Sequence, residues 1–332
     1  MFLTEYFFAW LFICVTLGIA IAAEALSSML FANDSKPLAR MARLRLPITR
    51  LSSLYREKIL LPDTAVTLLL YGPILAFAAL LPVCAAIPFF TFTPILSNVA
   101  DLLQIIQFFL LSDVLMVIVF YSLSSPASSL RARKQISNTV RLVMSVVLFF
   151  VMLAAYADVV GSVSDVFSIS TLSSAVASAA SLPLYLGVVL FLFVIFSQLP
   201  HSEDCSVVLL DADELPEFRG LPRFLSEIWS LFRSFVIVAL VVNIIFPTSS
   251  FTAGPAVKSV PWLSQIALFV SFWFTAIIMR VTVVPLCWKL YDKLTDYLPP
   301  VLSDKIVWIL TAAASSMILI GIMVVSAENA AY

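Results

Sequence analysis

LLQIIQFFLLSDVLMVIVFYSLS runs from Leu102 to Ser124, and its reading decides the fold. A helix needs about 20 apolar residues to cross the hydrocarbon core of a bilayer. This stretch has that length, shows no alternation with period two, and carries one charge, Asp113, near its middle. Lipid offers no hydrogen bonds to the backbone, so a segment of this kind must satisfy its own amides and is read as a helix.

Seven more stretches of the same kind surround it. The eight expected spans are 6–31, 64–90, 102–124, 139–160, 182–199, 225–247, 262–288 and 305–326. The chain has 332 residues, of which 62% are hydrophobic and only 12% charged. Its mean hydropathy is +1.07. A soluble domain is about one quarter charged. The expectation is an all-α, polytopic integral membrane protein forming a single membrane domain over 1–332. The first apolar run follows Glu5 without a positively charged leader and is read as a retained helix.

Lysine and arginine orient the spans. Loop 32–63 carries seven of them, loop 125–138 three, loop 200–224 two and loop 289–304 two, whereas the intervening loops share only Lys258. The four basic loops are therefore expected in the cytoplasm, with both termini outside and the chain in the cytoplasmic (inner) membrane. Loop 161–181, rich in Ser and Ala, is expected on the outer side as a short amphipathic or re-entrant piece. There is no basic stripe with interleaved aromatics, so nucleic acid is not an expected partner.

Metal chemistry has little to work with. Cys14, Cys84 and Cys287 lie in or beside apolar runs, Cys205 lies in a polar loop, and His201 is the sole histidine. These spacings form no zinc, iron–sulfur or nickel ligand set. No iron–sulfur or nickel centre is expected on this chain.

Charges inside spans mark function or pairing, because each costs roughly 2.5–3.5 kcal/mol at membrane depth. Asp113 is the deepest carboxylate and a candidate proton site, with a paired structural carboxylate as the other reading; Gln104, Gln107, Ser112 and Ser122 thicken the polarity around it. Glu24, Arg233 and Arg280 are candidate charge partners, although both arginines also have room to snorkel toward the cytoplasm. Asp158 lies near the outer end of the fourth span.

LPHSEDCSVVLLDADELPEFRG, from Leu199 to Gly220, gathers Glu203, Asp204, Asp211, Asp213, Glu214 and Glu217 in one cytoplasmic loop. The apolar VVLL at its centre points to a loop folded against something rather than merely solvated.

Here the residues resemble a family. Leu199-Pro200, Glu217-Phe218-Arg219-Gly220 and Pro247 fall where the subunit 1 family of respiratory NADH–quinone oxidoreductase has Leu-Pro, Glu-Tyr-Ser-Gly and a helix-ending Pro. The likeness is greatest to the branch found in membrane-bound nickel–iron hydrogenases, such as the membrane subunit of formate hydrogenlyase. RLRLPITRLSSLYREKILLPDTA (43–65) resembles the family's first cytoplasmic loop, PASSLRARKQISNTVRLVMSVVL (126–148) its entry to the fourth helix, and LYDKL (290–294) the piece after its seventh.

The resemblance implies eight helices and a subunit without a redox centre of its own. Iron–sulfur clusters and a nickel–iron centre or flavin would sit on hydrogenase-like or NADH-dehydrogenase-like peripheral partners, and antiporter-like subunits would lie beside it in the membrane. Arg43, Arg45, Arg50, Arg56, Phe218, Arg219 and Asp292 would dock the peripheral arm. The acids of loop 200–224, with Asp113 deeper, would form a proton path. Where the family has Phe-Asp this chain has His201-Ser202, and where it has paired glutamates this chain has Cys205 and Val207. The Gly-Pro-rich motif of the first loop has also lost its glycines. These departures argue against a standard quinone-reducing subunit. A quinone-linked NADH dehydrogenase subunit, a structural anchor that has lost coupling, and a secondary transporter stand as alternatives.

Reporter fusions test the orientation. An exported phosphatase fused at position 171 is expected to be active and one fused at position 210 inactive; activity at 210 would contradict the topology.

Overall fold

The computed structural model describes residues 2–30, 48–49, 51–58, 66–86, 102–123, 125–160, 172, 176, 181–199, 219–245, 261–299, 302 and 305–330. Among these residues the protein is all helix, with no strand. The helices are α1 (Phe2–Leu30), α2 (Val66–Ala86), α3 (Leu102–Ser122), α4 (Pro126–Val160), α5 (Leu182–Ser197) and α6 (Leu221–Ile245). They are followed by α7 (Pro261–Ile278), a π-helical turn (Met279–Val283), α8 (Val284–Asp296) and α9 (Ile306–Ala330).

Five described segments are long and apolar enough to cross a bilayer: Leu103–Ser122, Ser128–Val160, Leu221–Ile245, Val270–Asp296 and Ile306–Ala327. Three shorter apolar helices are Cys14–Ser27, Thr67–Val83 and Leu182–Ser197. The chain is thus a multi-pass membrane protein. Its outer faces agree with that, since Leu110, Leu111, Val114 and Ile118 on α3 and Ile309, Ile320 and Met323 on α9 are all exposed. A water-facing surface would carry charge at such positions.

Helix α6 is the central element. It is buried on nearly every face, 78% of its most apolar stretch being covered, against 33–44% for the other four long segments. Its polar residues, Arg223, Ser226, Glu227, Ser230, Arg233 and Ser234, recur at helical spacing on one side and are buried as well. It packs on α1, α2 and α7, while α2, α3, α4, α9 and α5 follow one another around the bundle. Aromatic rings fill the joints. Phe77 of α2 meets Phe232 of α6 at 4.9 Å, Phe149 of α4 meets Phe191 of α5 at 5.3 Å, and Phe235 of α6 stacks on Trp273 of α7 at 5.6 Å.

Two helices run two or more turns further toward the expected cytoplasm than hydrophobicity suggests, and α6 about one turn further. Residues 126–138, expected as loop, form the first turns of α4. The reason is a reciprocal cap: Ser125 N–H donates to Ser128 Oγ and Ser128 N–H to Ser125 Oγ, both at 3.2 Å, with Pro126 at the first helical position. Such a box satisfies amides that would otherwise be orphaned and starts a helix irrespective of hydropathy. At 35 residues, α4 is about 52 Å long, well beyond a hydrocarbon core of about 30 Å. Likewise α8 carries on past 288 to Asp296. Gly220 precedes α6 with φ of 74°, a conformation that favours glycine, and its carbonyl accepts from Phe224 N–H at 3.0 Å.

The α5–α9 crossing needs Gly187. A Cβ there would lie 2.5 Å from Ile318 Cγ1 and 3.0 Å from the Ala314 carbonyl oxygen, which is backbone and cannot swing aside. Gly187→Val is expected to destabilise the protein by about 1–3 kcal/mol, read as a lower melting temperature in detergent. Gly18→Ala, where nothing lies within 4 Å, is the control and is expected to leave the melting temperature unchanged or raised.

Candidate functional site

Ser112 and Asp113 sit side by side in the middle of α3, both fully buried. Consecutive helical residues point about 100° apart, so the two side chains reach different neighbours. Asp113 meets Arg233 of α6. Arg233 Nε donates to Oδ1 at 2.6 Å and Nη2 to Oδ2 at 2.5 Å. Thr139 of α4 adds a third donor, its hydroxyl reaching Oδ2 at 2.9 Å. This two-pronged arrangement is the strongest that a carboxylate and a guanidinium form, and Lys could not reproduce it.

Trp229 precedes Arg233 by four residues and so shares its face of α6. Its indole Nε1 donates to Ser112 Oγ at 2.7 Å, and that hydroxyl donates onward to the Ala76 carbonyl of α2 at 2.6 Å. The Arg233 guanidinium carbon lies 5.6 Å from the Trp229 ring centroid, a favourable place for a cation. One polar cluster therefore ties α2, α3, α4 and α6 together.

A second pair lies on the other side of α6. Arg280 Nη2 donates to Glu24 Oε2 at 2.7 Å, joining the π-helical turn to α1. Glu24 is 4% exposed and Arg280 2%. Wider turns of this kind are rare and are frequently found at functional positions within helices. Arg233 and Arg280 thus both turn inward to a carboxylate and do not snorkel out along their helices. A third pair is local to α6, where Arg223 and Glu227 stand 3.7 Å apart and both are buried.

Of the expected docking residues, Arg56 is exposed on a helical stretch at 51–56, Arg219 is half-buried just before α6, and Asp292 is exposed on α8. Tyr55 meets Phe224 edge-on at 5.5 Å, which sets the first basic segment beside the start of α6. Arg43, Arg45, Arg50, Glu203, Asp204, Asp211, Asp213, Glu214, Glu217 and Phe218 lie outside the described residues. Among the described residues no three His, Cys, Asp or Glu side chains come together as a metal site.

Thr139 and Trp229 are the members of the site that sequence reasoning missed. Trp229 had a signal, its four-residue spacing from Arg233. Thr139 had none, because hydropathy places it at the edge of a span and says nothing of its face. A cavity of about 70 Å³ lies between α3, α4 and α6, and Trp229 and Met116 line it.

No family model and no curated protein sequence matches the chain. Its fold does match a solved one. It is similar to a chain of the membrane-bound sulfane sulfur reductase, an archaeal respiratory membrane complex, with a TM-score of 0.55 and 15% identity over 94% of this chain and 99% of that one.

Removing one partner of a buried ion pair strands the other charge, which costs about 3–5 kcal/mol. Glu24→Gln is expected to lower the melting temperature of the purified protein by an amount of that order. Combining it with Arg280→Met should recover most of the loss. An unchanged melting temperature for Glu24→Gln would refute the pairing.

Proposed function

We propose that the protein is a membrane subunit of a multi-subunit respiratory oxidoreductase of the complex I-like or hydrogenase-like kind, carrying no redox centre itself. The observation that carries this reading is the end-to-end fold likeness, which takes in 99% of a chain of a respiratory membrane complex. The ordered motifs from Arg43 to Leu294 point the same way.

In this role the segments around Tyr55–Phe224 and the loop 200–224 receive the peripheral arm, where electron transfer occurs. Helix α6 begins at Leu221, within the last residues expected as that loop, and carries Arg233 about three turns further down. A force applied at the start of α6 is thereby passed along the helix to the Asp113–Arg233 pair. Arg233 and Thr139 already hold the Asp113 carboxylate, so full access to it requires Arg233 to move. The pair therefore works as a gate, closed as it stands, rather than as an open relay.

The same geometry favours a second reading. Buried carboxylates fully engaged by arginine and threonine are also what a structural anchor without coupling would keep.

Affinity purification of the mildly solubilised, tagged chain separates the class from its rivals. Recovery of cluster-binding subunits of hydrogenase-like or dehydrogenase-like type is expected, and a clean homo-oligomer would contradict the proposal. In the assembled complex, Asp113→Asn is expected to reduce proton translocation per turnover. Unchanged translocation would leave the anchor reading in place.

A further inference from the structure

The cavity between α3, α4 and α6 has an ordered wall. Arg131, Lys134, Gln135 and Asn138 of α4 line it. Their spacing is i, i+3, i+4 and i+7, so they form one stripe along one face of the helix. Every member carries N–H donors, and two carry full positive charge. Arg131 is steadied by Phe120 of α3, its guanidinium carbon 5.5 Å from the ring centroid. Across the cavity, Ser230 and Glu227 come from α6. Glu227 is the one acid in the wall, and Arg223 lies 3.7 Å from it on the same helix, so its charge is offset locally. The wall as a whole is cationic and rich in donors.

Depth adds a second argument. Thr139 reaches Asp113 in the middle of α3. Arg131 lies eight residues earlier on α4, about 12 Å along the helix axis. Half of the hydrocarbon core is about 15 Å. The stripe therefore climbs from just beyond the buried pair to about 3 Å short of the hydrocarbon edge, from where the long Arg131 side chain reaches the layer that holds lipid phosphates. The volume, about 70 Å³, is several times the ~10–15 Å³ that one water requires.

We propose that this cavity binds a phosphate group, delivered either by the headgroup of an anionic phospholipid or as inorganic phosphate from the aqueous side. Arg131 and Lys134 supply the charge, and Gln135 and Asn138 supply directed donors on the inner oxygens. Binding joins α4 to α6 above the Asp113–Arg233 pair and so stabilises the bundle. Basic pockets between membrane helices recognise lipid headgroups by this chemistry.

The test uses the purified full-length chain in neutral detergent, offered either phosphatidylglycerol in a phosphatidylcholine background or inorganic phosphate. Native mass spectrometry reads retained adducts, and thermal melting reads stabilisation. The wild type is expected to retain a phosphate-bearing adduct and to melt higher with it. Lys134→Gln should lower retention severalfold, and Asn138→Asp, which adds a negative charge to the stripe, should abolish it. Arg133→Gln, exposed on the same helix and outside the cavity, should leave retention unchanged. Response to the lipid alone assigns the headgroup as the source, and response to both or to inorganic phosphate alone assigns the free ion. Absence of any adduct on the wild type overturns the proposal, as does equal retention by wild type, Lys134→Gln and Asn138→Asp. None of these outcomes depends on the partners of the assembled complex.

Discussion

Two opposite charges buried among apolar helices must satisfy each other, and the arrangement of the bundle follows from how Asp113 and Arg233 do so. Both are removed from solvent, Asp113 fully and Arg233 to 7%. Neither helix could hold its charge alone without a heavy desolvation cost. The guanidinium offers two parallel donors, the carboxylate two acceptors, and Thr139 fills a further lone pair. The register of α3 against α6, and of α4 against both, is thereby set by directional bonds. Apolar packing alone, which is non-directional, would tolerate rotation or sliding of one helix on another. Trp229, Ser112 and Ala76 extend the same restraint to α2.

Glu24 and Arg280 repeat the device on the far side of α6, with one difference. The arginine is presented from a π-helical turn, so the helix that carries it departs from regular geometry where it meets α1. Helix α6 thus stands between two ion pairs, one linking it to α3 and one linking its neighbours α1 and α7. Its N-terminal end emerges from Gly220 at the surface where Tyr55 meets Phe224. The central helix connects that surface to the buried charges, and the cationic cavity lies along its first turns.

Much of the fold was legible because hydropathy is a local property. The stretch around Asp113 reads as a span by itself, and it is one of the five described segments long and apolar enough to cross a bilayer. Helix ends were less legible: Ser125, Pro126 and Ser128 start α4 by hydrogen bonding, in a region where hydropathy indicates a loop. The turn at Met279–Val283 left no mark in the composition. The charged members of the site could be named from their depth alone, since a charge in a span is rare enough to stand out. Their pairing could not be derived, because Asp113 and Arg233 are 120 residues apart and Glu24 and Arg280 are 256 apart. Which acid meets which arginine is decided by helix order and rotation, which a single sequence does not encode in any short pattern.

The central claim is that Asp113 and Arg233 act as one unit, and a double-mutant cycle on the purified chain tests it most directly. Melting temperatures would be compared for Asp113→Asn, Arg233→Gln, the two together, and the apolar pair Asp113→Leu with Arg233→Met. A strong coupling is predicted: each single change should cost nearly as much as both, and the apolar pair should lie close to wild type. Additive losses, with the two positions behaving independently, would contradict the account.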